Sequence, residues 1–478
     1  MPPLQRPAHF DRSIIEGSLA SVVWRLAWPT MLQNALGGLQ GIIDHAMVGH
    51  LVGYTANAAI GVSWQIFLVV IVFISSLYAG MGVLVARFAG AGRRDMVDRA
   101  VGQAFLISLF LAGVVMAPVG YALAPRLLLF VNATPEVRET ALPFLRLMFL
   151  GGIGLLTFFL LGGAFRAAGD PRTPLRLGVI LTTLNIVFNV VLIRGAGPIP
   201  AFGATGAAMG TVLASLIVAA LGLMAMRSPD AAIHLPKLTA LRPDWTIIRQ
   251  LFRFGLPTGI QGVAMNIGGV LLLRFVGALP HSAEAQAAYA IGYTELFSLI
   301  TFTSVGVMGA TAAVVGQNLG AGKVERAWHA VRVSSRLAFA VAVGVGLLFL
   351  LVPNLLLGIF GVDDGTTSDI ARSLLRHLAI SGLFVTVALA YTGALQGSGD
   401  TRSPLYISII SQVAVPLGLC MLFQRMGTFE PVDIWRAIVA GHMTRCVLSI
   451  ARFRQGNWQR IVVDVGRSAP DQARPEVT

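Results

Sequence analysis

The stretch GAFRAAGDPRTPLR, from Gly163 to Arg176, has a close counterpart in GALQGSGDTRSPLY, from Gly393 to Tyr406. Each one closes an apolar run with glycine, aspartate, arginine and proline at matching places. Glycine commonly ends a helix and proline commonly opens the next one, so both stretches predict a tight junction between two helices. The chain therefore carries the same helix junction twice.

The similarity extends well beyond the junctions. PTMLQNALGGLQGIIDHAMVGHL, starting at Pro29, aligns without a gap with PTGIQGVAMNIGGVLLLRFVGAL, starting at Pro257. After the next apolar run of each half come AGAGRRDMVDRAV and LGAGKVERAWHAV, which align in the same way. We infer that the chain consists of two homologous halves.

The composition is that of an integral membrane protein. Of the 478 residues, 55% are hydrophobic and only 12% are charged, whereas soluble chains are about 25% charged. The apolar runs are long enough to cross about 30 Å of hydrocarbon as helices. Membrane strands would instead give short alternating segments. The net charge of +13 lies in alternate loops between these runs, which indicates membrane topology and not a nucleic-acid partner.

We predict an all-α membrane protein with twelve transmembrane helices in two homologous six-helix bundles. The predicted segments lie near residues 22–48, 58–88, 97–122, 140–168, 174–193, 203–226, 250–278, 285–316, 331–352, 372–397, 404–424 and 433–451. We assign 1–227 to an N-terminal lobe, 228–245 to a cytoplasmic linker, 246–453 to a C-terminal lobe and 454–478 to a cytoplasmic tail.

The turns near Arg93, Arg172, Lys323 and Arg402 are basic, and basic turns face the cytoplasm. This rule predicts cytoplasmic termini in a plasma (inner) membrane. An even number of spans in each half gives parallel repeats about an axis along the membrane normal, an arrangement typical of secondary transporters. A channel or a duplicated scaffold without alternating access is the alternative.

Enzymatic chemistry is not indicated. Both cysteines, Cys420 and Cys446, lie in apolar segments, so we predict neither a disulfide framework nor a metal cluster. GQNLGAGKV, from Gly316, departs from the spacing of a phosphate loop and lacks its final serine or threonine. We therefore expect no enzyme activity, no metal and no cofactor, and we expect a monomer surrounded by lipid.

Asp44 is the first candidate for chemistry. It lies deep in the first apolar segment, and the matching residue of the second half is Leu272. A carboxylate inside a membrane span is costly and usually marks an ion or substrate path. We interpret Asp44 as a group that binds a proton or a cation, with a purely structural hydrogen bond as the alternative.

Asn185 and Asn189 are four residues apart in the fifth segment and share one helix face. Their counterparts in the second half are Val415 and Leu419, so the polar cluster belongs to the first half alone. Asparagines can also hold two helices together, and that role is the alternative. We expect three further polar residues to support the cluster or line the substrate cavity: Gln33, Thr211 and Gln261.

Two other residues have open roles. Glu295 is an acid inside the eighth segment and is either a second cation site or a residue at the cavity rim. Pro29 lies in mid-helix, where proline breaks a backbone hydrogen bond, and about four turns separate it from Asp44. We predict a hinge at Pro29, with a static kink as the alternative because Pro257 occupies the same place in the second half.

The sequence resembles the multidrug and toxic compound extrusion (MATE) transporters over nearly its whole length, from about Trp24 to Trp458. The motifs that carry the resemblance, in chain order, are GIIDHAMVGHL, RFAGAGRRD, RAAGDPRTPL, NIVFN, GLPTGIQ, GQNLGAGK, QGSGDTRSPL and GHMTRCVLSIARFRQGNW. The resemblance implies two lobes around a V-shaped cavity and export of organic, often cationic, compounds driven by inward proton or sodium flow. It also places Asp44 at the family's first-helix carboxylate and Asn185 at the first asparagine of the family's fifth-helix motif.

Departures from the family pattern bear on the coupling ion. Asn189 stands where some proton-coupled members have aspartate and others have asparagine, so the resemblance does not imply a site with two carboxylates. Sodium-linked members of the NorM type carry acids at two positions that are Met265 and Val385 here. We therefore predict proton coupling, with sodium bound by Asp44 and its neighbouring amides as the alternative. A lipid-linked sugar flippase of the same superfamily is the rival function, although such proteins often have fourteen spans and arginine-rich cavities.

Overall fold

The computed structural model of the chain describes residues 10–229, 231–234, 242–362, 365–427 and 429–463, with Ser75 described by its backbone alone. Helices occupy all the predicted membrane positions. The long helices of the first lobe are α1 Leu19–Leu51, α2 Tyr54–Gly90, α3 Arg94–Phe130, α4 Pro135–Gly151, α5 Ile153–Ala168, α6 Arg172–Arg194 and α7 Gly203–Ala225. Those of the second lobe are α8 Trp245–Val276, α9 Ser282–Gly320, α10 Val324–Leu351, α11 Thr366–Ser398, α12 Arg402–Arg425 and α13 Pro431–Arg454.

The number of spans follows from helix length and hydropathy. Within the described part of the chain, nine helices are long and apolar enough to cross a membrane. The count becomes ten if α4 and α5, which meet at a 48° bend, form one broken span. The other two predicted positions are filled by α1 and α13, which are long helices with more polar and charged residues. The exact number of twelve spans therefore stays a prediction.

The duplicated junction has the same geometry in both lobes. Gly169 ends α5 and Gly399 ends α11, with φ values of 101° and 98° that favour glycine over other residues. The next residue, Asp170 or Asp400, caps the following helix by accepting a backbone N–H at 3.1 Å, from Thr173 and Ser403 respectively. The prediction of two homologous bundles is confirmed at this level of detail.

The predicted linker and tail are only partly described. The first lobe ends at Ala225 and α8 begins at Trp245, while residue 230, residues 235–241 and the tail beyond residue 463 lie outside the described residues. Asp244 caps α8 and also pairs with Arg99 of α3 at 2.6 Å. The end of the linker is therefore fastened to α3 of the first lobe.

The two lobes meet along a seam made largely of backbone. Here α1 packs on α9, and α2 packs on α8 and α9. A Cβ atom at Gly80, Gly90 or Gly320 would come closer than 3.0 Å to a backbone carbonyl oxygen of the other lobe. No larger residue fits at these places without moving a helix. We call these three glycines and the carbonyls they face the backbone seam.

The contacts between lobes concentrate at the end of the bundle that carries the basic turns, which we call the basic end. There Arg87 donates to the carbonyl of Ser398 at 2.9 Å, and Gln317 donates to the carbonyl of Ala167 at 2.8 Å. In the described residues, the hydrogen bond between lobes that lies farthest from this end joins Asn34 to the carbonyl of Phe302 at mid-helix. The lobes thus form a V whose apex is at the basic end.

Candidate ion and substrate site

A cavity of about 580 Å³ lies beyond the mid-helix contacts, in the half of the bundle opposite the basic end. Its walls come from α1, α2, α4, α5, α6 and α7, and α9 of the second lobe adds only Phe302 and Val305. The lining is mostly apolar, with Trp64, Phe158 and Phe159 among its aromatic residues. This volume is ordinary for a small-molecule site, since such pockets span about 300–1,000 Å³.

Asp44 of α1 faces this cavity and meets the predicted asparagines of α6. The Asn189 side-chain Nδ2 donates to Asp44 Oδ1 at 2.7 Å and to Asn185 Oδ1 at 3.2 Å. The Asn185 Nδ2 donates in turn to Thr211 Oγ1 of α7 at 3.0 Å. Both asparagines are fully buried. Four of the residues selected from the sequence, Asp44, Asn185, Asn189 and Thr211, therefore form one connected network.

The direction of this network is fixed from its far end. The Thr211 hydroxyl donates to the carbonyl of Ala207 at 3.1 Å, and a carbonyl oxygen can only accept. Since a hydroxyl has one hydrogen, Thr211 must accept from Asn185, and Asn185 must then turn its oxygen towards Asn189. Asn189 consequently presents its NH₂ group to Asp44. The Asn189 NH₂ group thus donates to the Asp44 carboxylate and to Asn185. From Asn185 the donors continue away from Asp44, through Thr211 to the Ala207 carbonyl.

A second polar branch reaches Asp44 from residues that the sequence analysis missed. Gln40, one turn before Asp44 on α1, hydrogen-bonds to the Asp44 carboxylate through its side chain. The Thr182 hydroxyl of α6 donates to Gln40 Oε1 at 3.0 Å. Gln40 precedes Asp44 by four residues and Thr182 precedes Asn185 by three, so helical spacing would have found both.

Asn189 owes its position to Gly210 of α7. A Cβ atom at Gly210 would lie well inside van der Waals contact with Asn189 Oδ1 and 3.2 Å from its Cγ atom. In the described part of the chain, this oxygen has no hydrogen-bond partner. The close approach of α7 thus holds the Asn189 amide with its nitrogen towards Asp44 and its oxygen against the Gly210 backbone.

Gln33 lines the cavity about three turns from Asp44, towards the basic end. Its Oε1 accepts from Arg166 Nη1 of α5 at 3.2 Å. The sequence analysis missed Arg166 because it belongs to the repeated junction motif. The second half has Gln396 at the matching position, however, so this cation, like Asp44, belongs to the first lobe alone.

Gln261 and Glu295 lie apart from this network. Gln261 is buried in the second lobe, where its Nε2 donates to Ser408 Oγ at 2.8 Å. Glu295 is half-buried in a π-helical turn of α9, and its carbonyl accepts from the Ser298 hydroxyl. Neither residue belongs to the lining of the first-lobe cavity. The predicted supporting role of both stays a prediction for this cavity.

Pro29 is buried in the first half of α1, at the level where that helix packs on α9. The neighbouring Met31 and Ala27 touch Gly306 closely enough that a Cβ there would clash with both. A bend at Pro29 would therefore move the contact between lobes as well as the cavity wall. The hinge itself stays a prediction.

These features define a class of protein, namely a two-lobed helical membrane transporter with a polar site inside the first lobe. The MatE family model matches residues 29–191 and 257–422, once in each half. The chain belongs to this family, which is the multidrug and toxic compound extrusion family that the sequence resembles.

Relatives identified by sequence and solved structures with the same fold agree with this assignment. The chain is 27% identical to the probable multidrug resistance protein NorM of Thermotoga maritima, over 92% of this chain and 93% of that protein. It is 26% identical to the multidrug resistance protein MdtK of Pectobacterium atrosepticum, over 90% and 94%. Its fold matches the outward-facing conformation of a multidrug resistance MATE family transporter with a TM-score of 0.86 at 21% identity, covering 94% of this chain and 98% of that one.

Proposed function

We propose that this protein is a secondary active antiporter that exports small organic, often cationic, compounds in exchange for inward proton flow. The relatives named as multidrug resistance proteins support the substrate class. The largely apolar cavity of about 580 Å³ supports it too, because aromatic and aliphatic walls accept many shapes of organic molecule.

The observation that carries the proton proposal is the fixed orientation of the Asn189 amide, which presents its NH₂ group to Asp44. Asn189 and Gln40 offer amide side chains to the carboxylate, and Asn189 does so through its nitrogen at 2.7 Å. The amide and hydroxyl side chains of this hydrogen-bond network do not titrate, so Asp44 is the member of the network that can gain and lose a charge. A protonated Asp44 still accepts from Asn189 through its carbonyl oxygen, so the network survives both states.

The same geometry disfavours sodium. A sodium ion bound beside Asp44 needs several oxygen ligands, yet the Asn189 group turned towards the carboxylate is an NH₂ donor. Rotating the Asn189 amide would place its oxygen near the ion. However, Asn185 Oδ1, which the Thr211–Ala207 hydrogen bond keeps turned towards Asn189, would then lose the N–H group that donates to it. In the second lobe, Met265 and Val385 stand where the sodium-linked pattern has acids. The first-lobe site therefore suits an exchangeable proton better.

The transport cycle that we infer uses the two lobes as moving bodies. The cavity lies in the half opposite the basic end, and the backbone seam closes the basic end. With basic turns facing the cytoplasm, this state opens towards the outside, and rocking of the lobes would open the other side. Both termini then lie in the cytoplasm, and the protein works as a monomer in the plasma (inner) membrane.

The test is an export assay in proteoliposomes under an imposed proton gradient, without sodium, using a fluorescent organic cation such as ethidium. The wild-type protein should concentrate the dye, acidify the compartment opposite to dye movement and stop when a protonophore is added. Asp44→Asn keeps the shape of the side chain but cannot cycle a proton, so it should abolish uphill export while the protein stays folded.

Glu295→Gln is the matched control, because it removes an acid from a helix that lies outside the Asp44 network. If Asp44 alone binds the coupling ion, that variant should export as the wild type does. Strict sodium dependence together with indifference to the pH gradient would overturn the proton proposal. Loss of export in Glu295→Gln with full activity in Asp44→Asn would move the ion site to the second lobe.

A further inference from the structure

A second, smaller pocket of about 230 Å³ lies near the basic end of the second lobe, far from the Asp44 cavity. It opens between α10, α11 and α13. Its lining consists of two arginines, three aromatic residues and one valine: Trp328, Val331, Arg332, Tyr391, Phe453 and Arg454. Cations and aromatic rings together form its walls, and the function described above uses none of them.

The aromatic walls are held rigidly. Phe453 stacks on Trp458 with ring centroids 4.6 Å apart and an angle of 10° between the planes. Trp328 meets Phe453 edge-on at 4.6 Å, and Tyr391 meets the same ring edge-on at 5.5 Å. The indole N–H of Trp458 donates to the carbonyl of Phe453 at 2.8 Å, which fastens the chain after α13. The pocket is therefore preformed.

The two arginines of the pocket are not neutralised by the residues that the structure describes. Arg332 and Arg454 form no ion pair there, although both lie close enough to Tyr391 to act on its hydroxyl electrostatically. Neighbouring basic residues behave differently, since Arg452 pairs with Asp400 at 3.0 Å and Arg326 donates to the carbonyl of Gly17. Two guanidinium groups thus face one preformed pocket, and none of the described residues supplies a counter-charge.

The depth of the pocket matches the headgroup region of a bilayer. The 28 residues of α10 span about 42 Å, which exceeds the hydrocarbon thickness of about 30 Å. Arg332 is eight residues beyond Val324 (332 − 324), or about 12 Å from the basic end of the helix. Tyr391 is seven residues before Ser398 (398 − 391), or about 10 Å from the same end of α11. The pocket therefore lies near the boundary between hydrocarbon and headgroups.

The apolar surface continues from the pocket into the membrane. Phe339, Val343 and Leu347 follow Arg332 on α10, spaced four residues apart, and all three are exposed. A helix presents residues with this spacing along one face. An acyl chain whose headgroup occupied the pocket would lie along this face.

We propose that this pocket binds the phosphate group of an anionic phospholipid of the surrounding bilayer. Guanidinium groups bind phosphate oxygens through several parallel N–H donors, and basic pockets between membrane helices on the cytoplasmic side are suited to anionic headgroups. The aromatic rings add the amphipathic surface that is favoured at the membrane boundary. A zwitterionic lipid carries its own ammonium group and gains less from two arginines.

The pocket is a property of the second lobe and not of the shared fold. The offset that relates Gly92 to Gly322 places Asp98 opposite Trp328 and Gly102 opposite Arg332. The first lobe thus has an acid and a glycine where the second has an aromatic ring and a cation. One lipid site per chain follows from this difference.

The experiment measures lipid retention by the purified, full-length protein in a neutral detergent, using native mass spectrometry. The wild type should retain one phosphatidylglycerol per chain and should not retain phosphatidylethanolamine. Combining Arg332→Gln with Arg454→Gln should weaken retention about 30-fold. Each cation near the membrane surface strengthens the binding of an anionic lipid about fivefold, and the two effects multiply. Arg402→Gln removes an exposed cation at the same end but outside the pocket, so it should retain the lipid.

Inorganic phosphate separates a lipid site from a site for free anions. If phosphate at millimolar concentration displaces the lipid or binds equally well alone, the lipid proposal is wrong. Equal retention by the double variant and the wild type would also refute it. If the double variant does not insert, Arg454→Gln alone should weaken retention about fivefold, and Tyr391→Phe, which keeps the ring, should leave one lipid bound.

Discussion

Gly210→Ala is the sharpest test of the site because it alters the Asp44 network without touching any polar residue. Gly210 lies on α7, and a Cβ atom there would fall closer than 3.0 Å to Asn189 Oδ1. Ordinary contacts of a Cβ atom begin at 3.4 Å, so the Asn189 amide must move by about 1 Å in a closely packed interior. The backbones of α6 and α7 hold that amide between Gly210 and Asp44.

The magnitude follows from the bonds that this movement breaks. The Asn189 Nδ2 is 2.7 Å from Asp44 Oδ1 and 3.2 Å from Asn185 Oδ1. A shift of about 1 Å takes at least one of these distances beyond hydrogen-bonding range. A hydrogen bond to a charged group contributes about 1.5–3 kcal/mol, which corresponds to a change of about 10- to 150-fold in the equilibrium of the site. We expect proton-driven export to fall by a factor in this range.

Dye export and proton counterflow in proteoliposomes measure this effect, and far-ultraviolet circular dichroism checks the fold. Gly344→Ala is the matched control, because Gly344 has no neighbour within 4 Å of the new methyl group. If steric pressure on Asn189 is the cause, Asn189→Ala and the double variant Asn189→Ala/Gly210→Ala should lose the same amount of export. Asn189→Ala removes the amide that the new methyl group would strike, so Gly210→Ala then adds no further loss. Full activity of Gly210→Ala, or losses that simply add in the double variant, would refute the reasoning.

Two further predictions concern the moving parts and the orientation. Spin labels on either side of Pro29 should report a distance that shifts between acidic and neutral pH in the wild type and in Pro257→Ala, but not in Pro29→Ala. An unchanged distance in the wild type would contradict the hinge. Reporter fusions after Gly53 and Pro198 should report outside and a fusion after Arg94 should report the cytoplasm, and a reversal at any of the three would contradict the assigned topology.

Much of the fold was predictable because membrane helices leave a strong local signal. The repeated junctions at Gly169 and Gly399 were recognisable by residue type, and both form the predicted helix ends. The break between α4 and α5 falls at the Gly151-Gly152 pair, a signature that the sequence analysis did not use. In contrast, the π-helical turn that contains Glu295 carries no clear sequence signature. Such irregularities depend on how neighbouring helices pack and not on local propensity.

The site was predictable in its members but not in its geometry. Comparing the two halves isolated Asp44, Asn185 and Asn189, because these polar residues break a symmetry between the halves that the packing residues keep. The direction of the hydrogen bonds was not predictable, since it depends on Thr211 donating to the carbonyl of Ala207 one turn earlier on α7 and on Asn185 meeting Thr211. The role of Gly210 was not predictable for a similar reason. The sequence does not show that Gly210 lies against the Asn189 side chain and leaves room for it.

The backbone seam has a practical consequence for anyone who wishes to capture this protein in a single shape. At Gly80, Gly90 and Gly320 the lobes touch main chain to main chain, so no interlocked side chains have to separate at these three places when the lobes part. A serine or alanine at any one of these places would act as a wedge that only the separated arrangement can accommodate. Single substitutions along the seam should therefore hold the basic end open, and they offer a route to crystallise or image the opposite conformation without an inhibitor.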